Sequence, residues 1–257
     1  MNIFLMKYFF IIAIGIAVTT SCVQGDIQPR QQLSQIDALY GVKINTVYRD
    51  TLFFPKKWLQ APIFATGKQI SPSQLPRALS ITDTFLSQYP LDILHKHLHT
   101  IFFLEELSFY SKKYGGTSNH RSKAIYITVK EKTHSDDYLL GLMHSEFSSI
   151  LFHSYTFPTK EWESLNPASF KYVGKGHFML GQTDLYGQSE ILLKQGFLVK
   201  YSQANVENDF NQIVRWLFTK PNDLALLMQK YPIIKAKVAL TIRFYRSIDP
   251  AFTFLVH

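Results

Sequence analysis

Apolar and polar positions alternate over residues 42–50, a stretch rich in β-formers, and this predicts a strand. Over residues 71–90 the spacing changes to that of an amphipathic helix that ends before Pro90. Two more strands are expected at residues 100–107 and 123–130, with a loop containing Gly115 and Gly116 between them. Asp136 or Asp137 is placed to cap the next helix, which carries the segment LMHSEFSSILFH from Leu142 to His153. An aromatic, glycine-containing stretch follows, and then helices are expected around residues 188–201, 207–219 and 231–246. Strands first, one central helix, then helices predict an α+β fold.

The chain has 257 residues, enough to bury a sizeable core, and residues 34–257 are expected to form one domain. With 46% hydrophobic and only 18% charged residues, a mainly disordered chain is excluded. The beginning has the layout of an export signal over residues 1–21. Lys7 is followed by an apolar run from Tyr8 to Val18 and by Thr19, Thr20 and Ser21. That run is too short to span a bilayer comfortably. Cys22 comes next, where a bacterial lipobox places its lipidated cysteine, although Thr19 stands where Leu or Val is usual. As the single cysteine, Cys22 has no intrachain partner for a disulfide, and residues 22–33 are expected to tether the domain to its lipid. The formal charge is +8, or +7 without residues 1–21, since Lys7 is the one charge lost. Its lysines and arginines are scattered, with no dense basic block, so nucleic acid is not an expected partner.

On the central helix, residues four apart lie about 40° from each other around the axis, so Ser145, Ser149 and His153 form one stripe. His144 falls on the opposite side from His153, and the two do not share a metal. The spacing is that of H-E-x-x-H, in which two imidazoles hold zinc and the glutamate is the general base. Here the glutamate is Glu146 and the ligand positions are serines, whose hydroxyls are poor zinc ligands. Taken alone, the segment reads as an amphipathic helix packed through Leu142, Phe147, Ile150 and Leu151. Elsewhere His95, His97 and His99 in LHKHLH are spaced for a metal, but a helix end leading into a strand explains them as well. No G-x-S-x-G elbow accompanies the serines, and His153, one turn beyond Ser149, is the one candidate partner for a Ser–His dyad.

A second segment, GFLVKYSQANVENDFNQIVRWLF from Gly196 to Phe218, changes the weight of the first. Together they resemble a family of lipoproteins described as zinc-binding metallopeptidases, found beside the outer-membrane nutrient-import systems of Bacteroidetes-type bacteria. Ser145-Glu146-Phe147 with Ser149-Ile150-Leu151 matches the family's H-E-F-x-H-I-L. Gly196-Phe197-Leu198 with Tyr201, then Asn208-Asp209-Phe210-Asn211-Gln212, matches its G-F-V-x-x-Y and E-D-F-A-E. The segments YPLDILHKHLHTIFFLEEL, YGG, KAIYITV and YRSIDPAF also occupy matching places, so the likeness covers nearly the whole mature chain.

The resemblance implies a zincin-like metallopeptidase fold, with a small mixed sheet packed on the active-site helix and a mostly helical C-terminal part. It also implies what has been lost. The family's zinc histidines fall on Ser145 and Ser149 and its two glutamates on Asn208 and Gln212, while a slip of one residue would offer Glu207. Glu146 and Tyr201 keep the acid–base and oxyanion positions, but without zinc to polarise a carbonyl and activate water they do not make that mechanism. The expectation is therefore a catalytically inactive lipoprotein, anchored at the outer membrane and without a cofactor, with an accessory role in nutrient import. Its cleft, with Ser145, Ser149, His153, Asn208 and Gln212, is expected to bind a peptide, a glycan or a neighbouring transporter complex. The alternative is an active zinc-dependent metallopeptidase or other hydrolase with a displaced site.

Overall fold

A computed structural model describes residues 29–130 and 133–254. The expected export signal, Cys22 and the first part of the expected tether lie outside these residues. The described chain runs α1 (Pro29–Tyr40), β1 (Lys43–Asn45), α2 (Asp50–Phe53), β2 (Thr66–Gln69), α3 (Leu75–Leu86), α4 (Leu91–His97), β3 (Thr100–Phe109), β4 (Lys112–Lys113), β5 (Gly116–Asn119) and β6 (Ala124–Thr128). It continues through α5 (Asp136–Ser154), α6 (Thr159–Ser164), α7 (Glu190–Lys194), α8 (Val206–Thr219), α9 (Pro221–Lys230) and α10 (Pro232–Ile248). This is an α+β fold with a small mixed sheet, in the order β1-β3-β6-β5.

The sheet is built on β3, the longest strand. β1 and β6 run parallel to it, β2 and β4 pair with it antiparallel, and β5 is antiparallel to β6 at one edge. Period-two alternation sorts its side chains into two cores. Ile101, Phe103, Ile125 and Ile127 face the main core and α5. Phe102, Leu104, Ala124 and Tyr126 face a smaller aromatic core with Phe53 and Phe54. Phe102 and Tyr126, opposite each other in the register, stack at 4.7 Å. Burial on both faces explains why residues 124–128 read as a continuous apolar strand.

Several expected boundaries move. The residue 42–50 strand shrinks to β1, because from Leu104 onward β3 pairs with β2 instead. The glycine loop between the two later strands contains β4 and β5, whose pairing partners override weak β propensity. Residues 29–33, read as tether, belong to α1, which starts with a proline and buries Ile36 and Tyr40. Ser135, not an aspartate, caps α5: its extended backbone lets the hydroxyl accept from the Tyr138 amide at 3.1 Å, while Asp136 and Asp137 are already in the first turn. The helix expected at residues 188–201 is reduced to α7, since Gly196 turns left-handed at φ +84 and a Cβ there would strike Ile233 at 2.1 Å.

Helix α5 runs through the middle of the molecule, packed on β5 and β6, α3 and α8. It is buried on nearly every side: Leu139, Met143, Phe147, Ile150 and Leu151 are joined by His144, Ser145, Ser148 and Ser149. The amphipathic reading of this helix is thereby corrected, because a helix with neighbours all round has no solvent face to mark. His144 is a core residue. It is bonded through Nδ1 to Tyr89 Oη at 2.8 Å and stacked on Phe218 at 4.2 Å, and burial pushes its pKa down to about 3.

Candidate functional site

Between the edge strand β5, helix α5 and helix α8 lies a cleft of about 460 Å³. Its lining brings together Ser145, Glu146, Ser149, His153, Tyr201, Asn208 and Gln212, drawn from positions more than sixty residues apart in the chain. Glu146 sits beneath the first residue of β5. A Cβ on Gly116 would approach its Cγ and Oε1 to 3.2 Å, so the glycine makes room for the carboxyl. Loss of hydration, and then the charge of Glu207, lift the Glu146 pKa to about 8 against a smaller opposing bond from Ser118. At neutral pH it is a protonated acid. Tyr201 reaches the cleft from the opposite wall, and burial holds its hydroxyl far above the ordinary phenol range, as a donor. A Cβ on Gly176 would meet Tyr201 Oη at 2.7 Å and Asn208 Nδ2 at 2.8 Å, so these two groups converge over a bare glycine.

Ser149 of the serine stripe, with its neighbour Ser148, is committed to another task. Asn211 of α8 reaches across to α5, donates from Nδ2 to Ser149 Oγ at 2.7 Å, and accepts at Oδ1 from Ser148 Oγ at 2.6 Å. Ser145 Oγ has only a long contact of 3.5 Å to the Asn211 carbonyl. Where a zinc site needs two imidazoles, the helix offers hydroxyls tied to an amide, and Asn208 presents another neutral amide. These residues do not fit a zinc ion. Among the described residues, no group of three or more histidines, cysteines or carboxylates is placed to hold a metal.

His153 does not pair with Ser149. Its Nε2 lies 3.1 Å from Glu207 Oε2, a contact that raises the His153 pKa, and its ring lies 4.9 Å from that of His120. The LHKHLH histidines are away from the cleft: His97, the last residue of α4, is buried and bonded to Tyr155 Oη at 2.8 Å. Reading the sequence missed Asn211, His120, Tyr138, Tyr186 and Arg215, all of which line the cleft. Asn211 lies in the quoted EDFAE-like segment and Arg215 one turn further along the same helix, which was the available signal. Nothing local marks His120, which enters from the turn after β5.

Sheet, central helix and cleft together define a metallopeptidase-like fold. A solved structure with this fold is a "putative zinc-binding metallo-peptidase" from Bacteroides caccae, which superposes with a TM-score of 0.53 over 85% of this chain and 84% of that one, at 14% identity. At that identity the likeness carries the fold. No family model matches the chain, and no curated protein matches it.

Proposed function

We propose that this chain is a lipid-anchored protein of metallopeptidase-like fold that binds an extended peptide in its cleft without cutting it. The observation that carries this reading is the Ser148–Asn211–Ser149 bridge, which uses the hydroxyl at one would-be ligand position, Ser149, together with that of its neighbour Ser148, to join α5 to α8. Peptide is favoured over glycan because β5 lines the cleft and, among the described residues, pairs on one side only, with β6, leaving an edge to which an extended chain adds as a further strand. The zincin-like assignment, the outer-membrane location and the accessory role in nutrient import rest on the sequence resemblance.

A second reading, a hydrolase with a displaced site, would draw on His153, Glu207 and His120, which line the same cleft without forming a ready metal-binding group. One experiment separates the two. Purified protein is assayed for zinc by mass spectrometry, then incubated with a mixed peptide pool that is sequenced in bound and free fractions. The expected result is zinc far below one per chain and a subset of peptides enriched intact. Stoichiometric zinc that His153→Ala removes, with cleavage products in the pool, would establish the displaced hydrolase. Failure to enrich any peptide would end the peptide reading.

A further inference from the structure

Arg215 is a cationic side chain that the cleft provides for and that, among the described residues, has no carboxylate counter-ion. It projects from α8 across α5 at Gly141, where a Cβ would come within 2.7 Å of its Cγ and Nε. A glycine inside a helix is less favourable than alanine; here its bare Cα opens the channel through which the arginine passes. The guanidinium lies 4.7 Å from the Tyr138 ring centroid and makes a long contact, 3.4 Å, to the Tyr138 carbonyl. Tyr186 flanks it, and His134 is near enough to feel its charge.

Among the described residues, Arg215 makes no ion pair with a carboxylate. Glu207, in the same cleft, is turned to His153. Asp137, on the outer side of Arg215, is exposed and unpaired with it. Glu146 is protonated at neutral pH. A partly buried guanidinium without an anion is unfavourable, while a planar fork of N–H donors suits a carboxylate held by two bonds.

We infer that Arg215, framed by Gly141, Tyr138 and Tyr186, is a receptor for one carboxylate of the cleft's ligand. The inference deepens the peptide reading, and the carboxylate is either an acidic side chain or a free C-terminus. A monoanion fits better than a phosphate dianion, because Lys113, the lysine of the lining, is paired with Glu106, and Glu207 repels added charge.

The test uses the mature chain and four peptides in two matched pairs. One pair differs only in Glu against Gln at a central position, and the other only in a free C-terminus against an amide. In at least one pair the carboxylate member is expected to bind about tenfold more tightly than its neutral twin, and that pair identifies the source. Arg215→Gln should abolish the difference between the members of that pair. Gly141→Ala, which displaces the arginine without removing it, should shrink the difference too, and covers the case in which Arg215→Gln does not fold. Independently, the Arg215 Nε–H resonance of the wild type should move on titration with acetate and not with chloride. Equal affinities within both pairs, or a resonance that acetate leaves in place, would overturn the receptor. If no peptide binds but acetate still moves that resonance, the peptide reading fails and the carboxylate receptor stands.

Discussion

Glu146 shows how one residue can keep its place while its setting changes what it does. Its carboxyl stays protonated to about pH 8 because folding removes water from it and sets it near Glu207. The folded chain therefore holds this proton more tightly than the unfolded chain, where the pKa is 4.5. The resulting stability is fully present below about pH 4.5 and is lost as pH rises through about 8. Glu146→Gln, which mimics the protonated acid, should match the wild type near pH 4 and exceed it at about pH 9. The expected gain is on the order of 2 kcal/mol, since the carboxyl opens on a cleft that water enters. Urea denaturation at those two pH values measures it, and parallel pH profiles for the two proteins would show that the carboxyl is not buried in this way.

At the scale of elements, the cleft depends on how α8 is held. On the cleft side Asn211 bridges to α5; on the far side Asp209 makes a fully buried ion pair of 2.7 Å with Lys237 of α10. Asp209 Oδ2 also accepts from Trp162 Nε1 at 2.9 Å and Tyr172 Oη at 2.8 Å, which ties α8 to α6 and the segment after it. Lys237 donates to the Gly196 carbonyl at 3.0 Å and lies over the Phe197 ring. Removing one partner of such a pair strands a buried charge. Lys237→Met should thus cost about 3–5 kcal/mol, whereas Lys237→Met with Asp209→Asn should cost clearly less than the sum of the single changes. A double-mutant cycle in chemical denaturation reads the coupling, and strict additivity would mean that the pair does not hold the helix.

At the scale of the whole molecule, the proposed lipid anchor is placed at Cys22, outside the described residues. Among the described residues no helix is long and apolar enough to cross a bilayer. The anchor proposed at Cys22 is tested by fractionation and by mass spectrometry of the mature N-terminus. Wild type is expected in the membrane fraction with a lipid on Cys22, and Cys22→Ala in a soluble or uncleaved form. An unmodified N-terminus on the wild type, with fractionation the same for both proteins, would remove the anchor.

The α+β order, the strands centred on Phe102 and Tyr126, and the central helix were legible in the sequence, because period-two and helical patterns follow from local burial. That Ser145, Ser149 and Asn208 carry none of the side chains zinc ordinarily binds was also legible, since ligand chemistry belongs to residue types. The edge position of β5 was not. It depends on which strands occupy the sides of β3 and β6, and Gly116, Thr117, Ser118 and Asn119 have no strong strand pattern of their own. Nor did local pattern give His153 to Glu207, Ser149 to Asn211, or Arg215 its path across Gly141. Each of those contacts joins elements more than fifty residues apart, and a side chain's partner at that range is chosen by helix packing, which composition and periodicity do not encode.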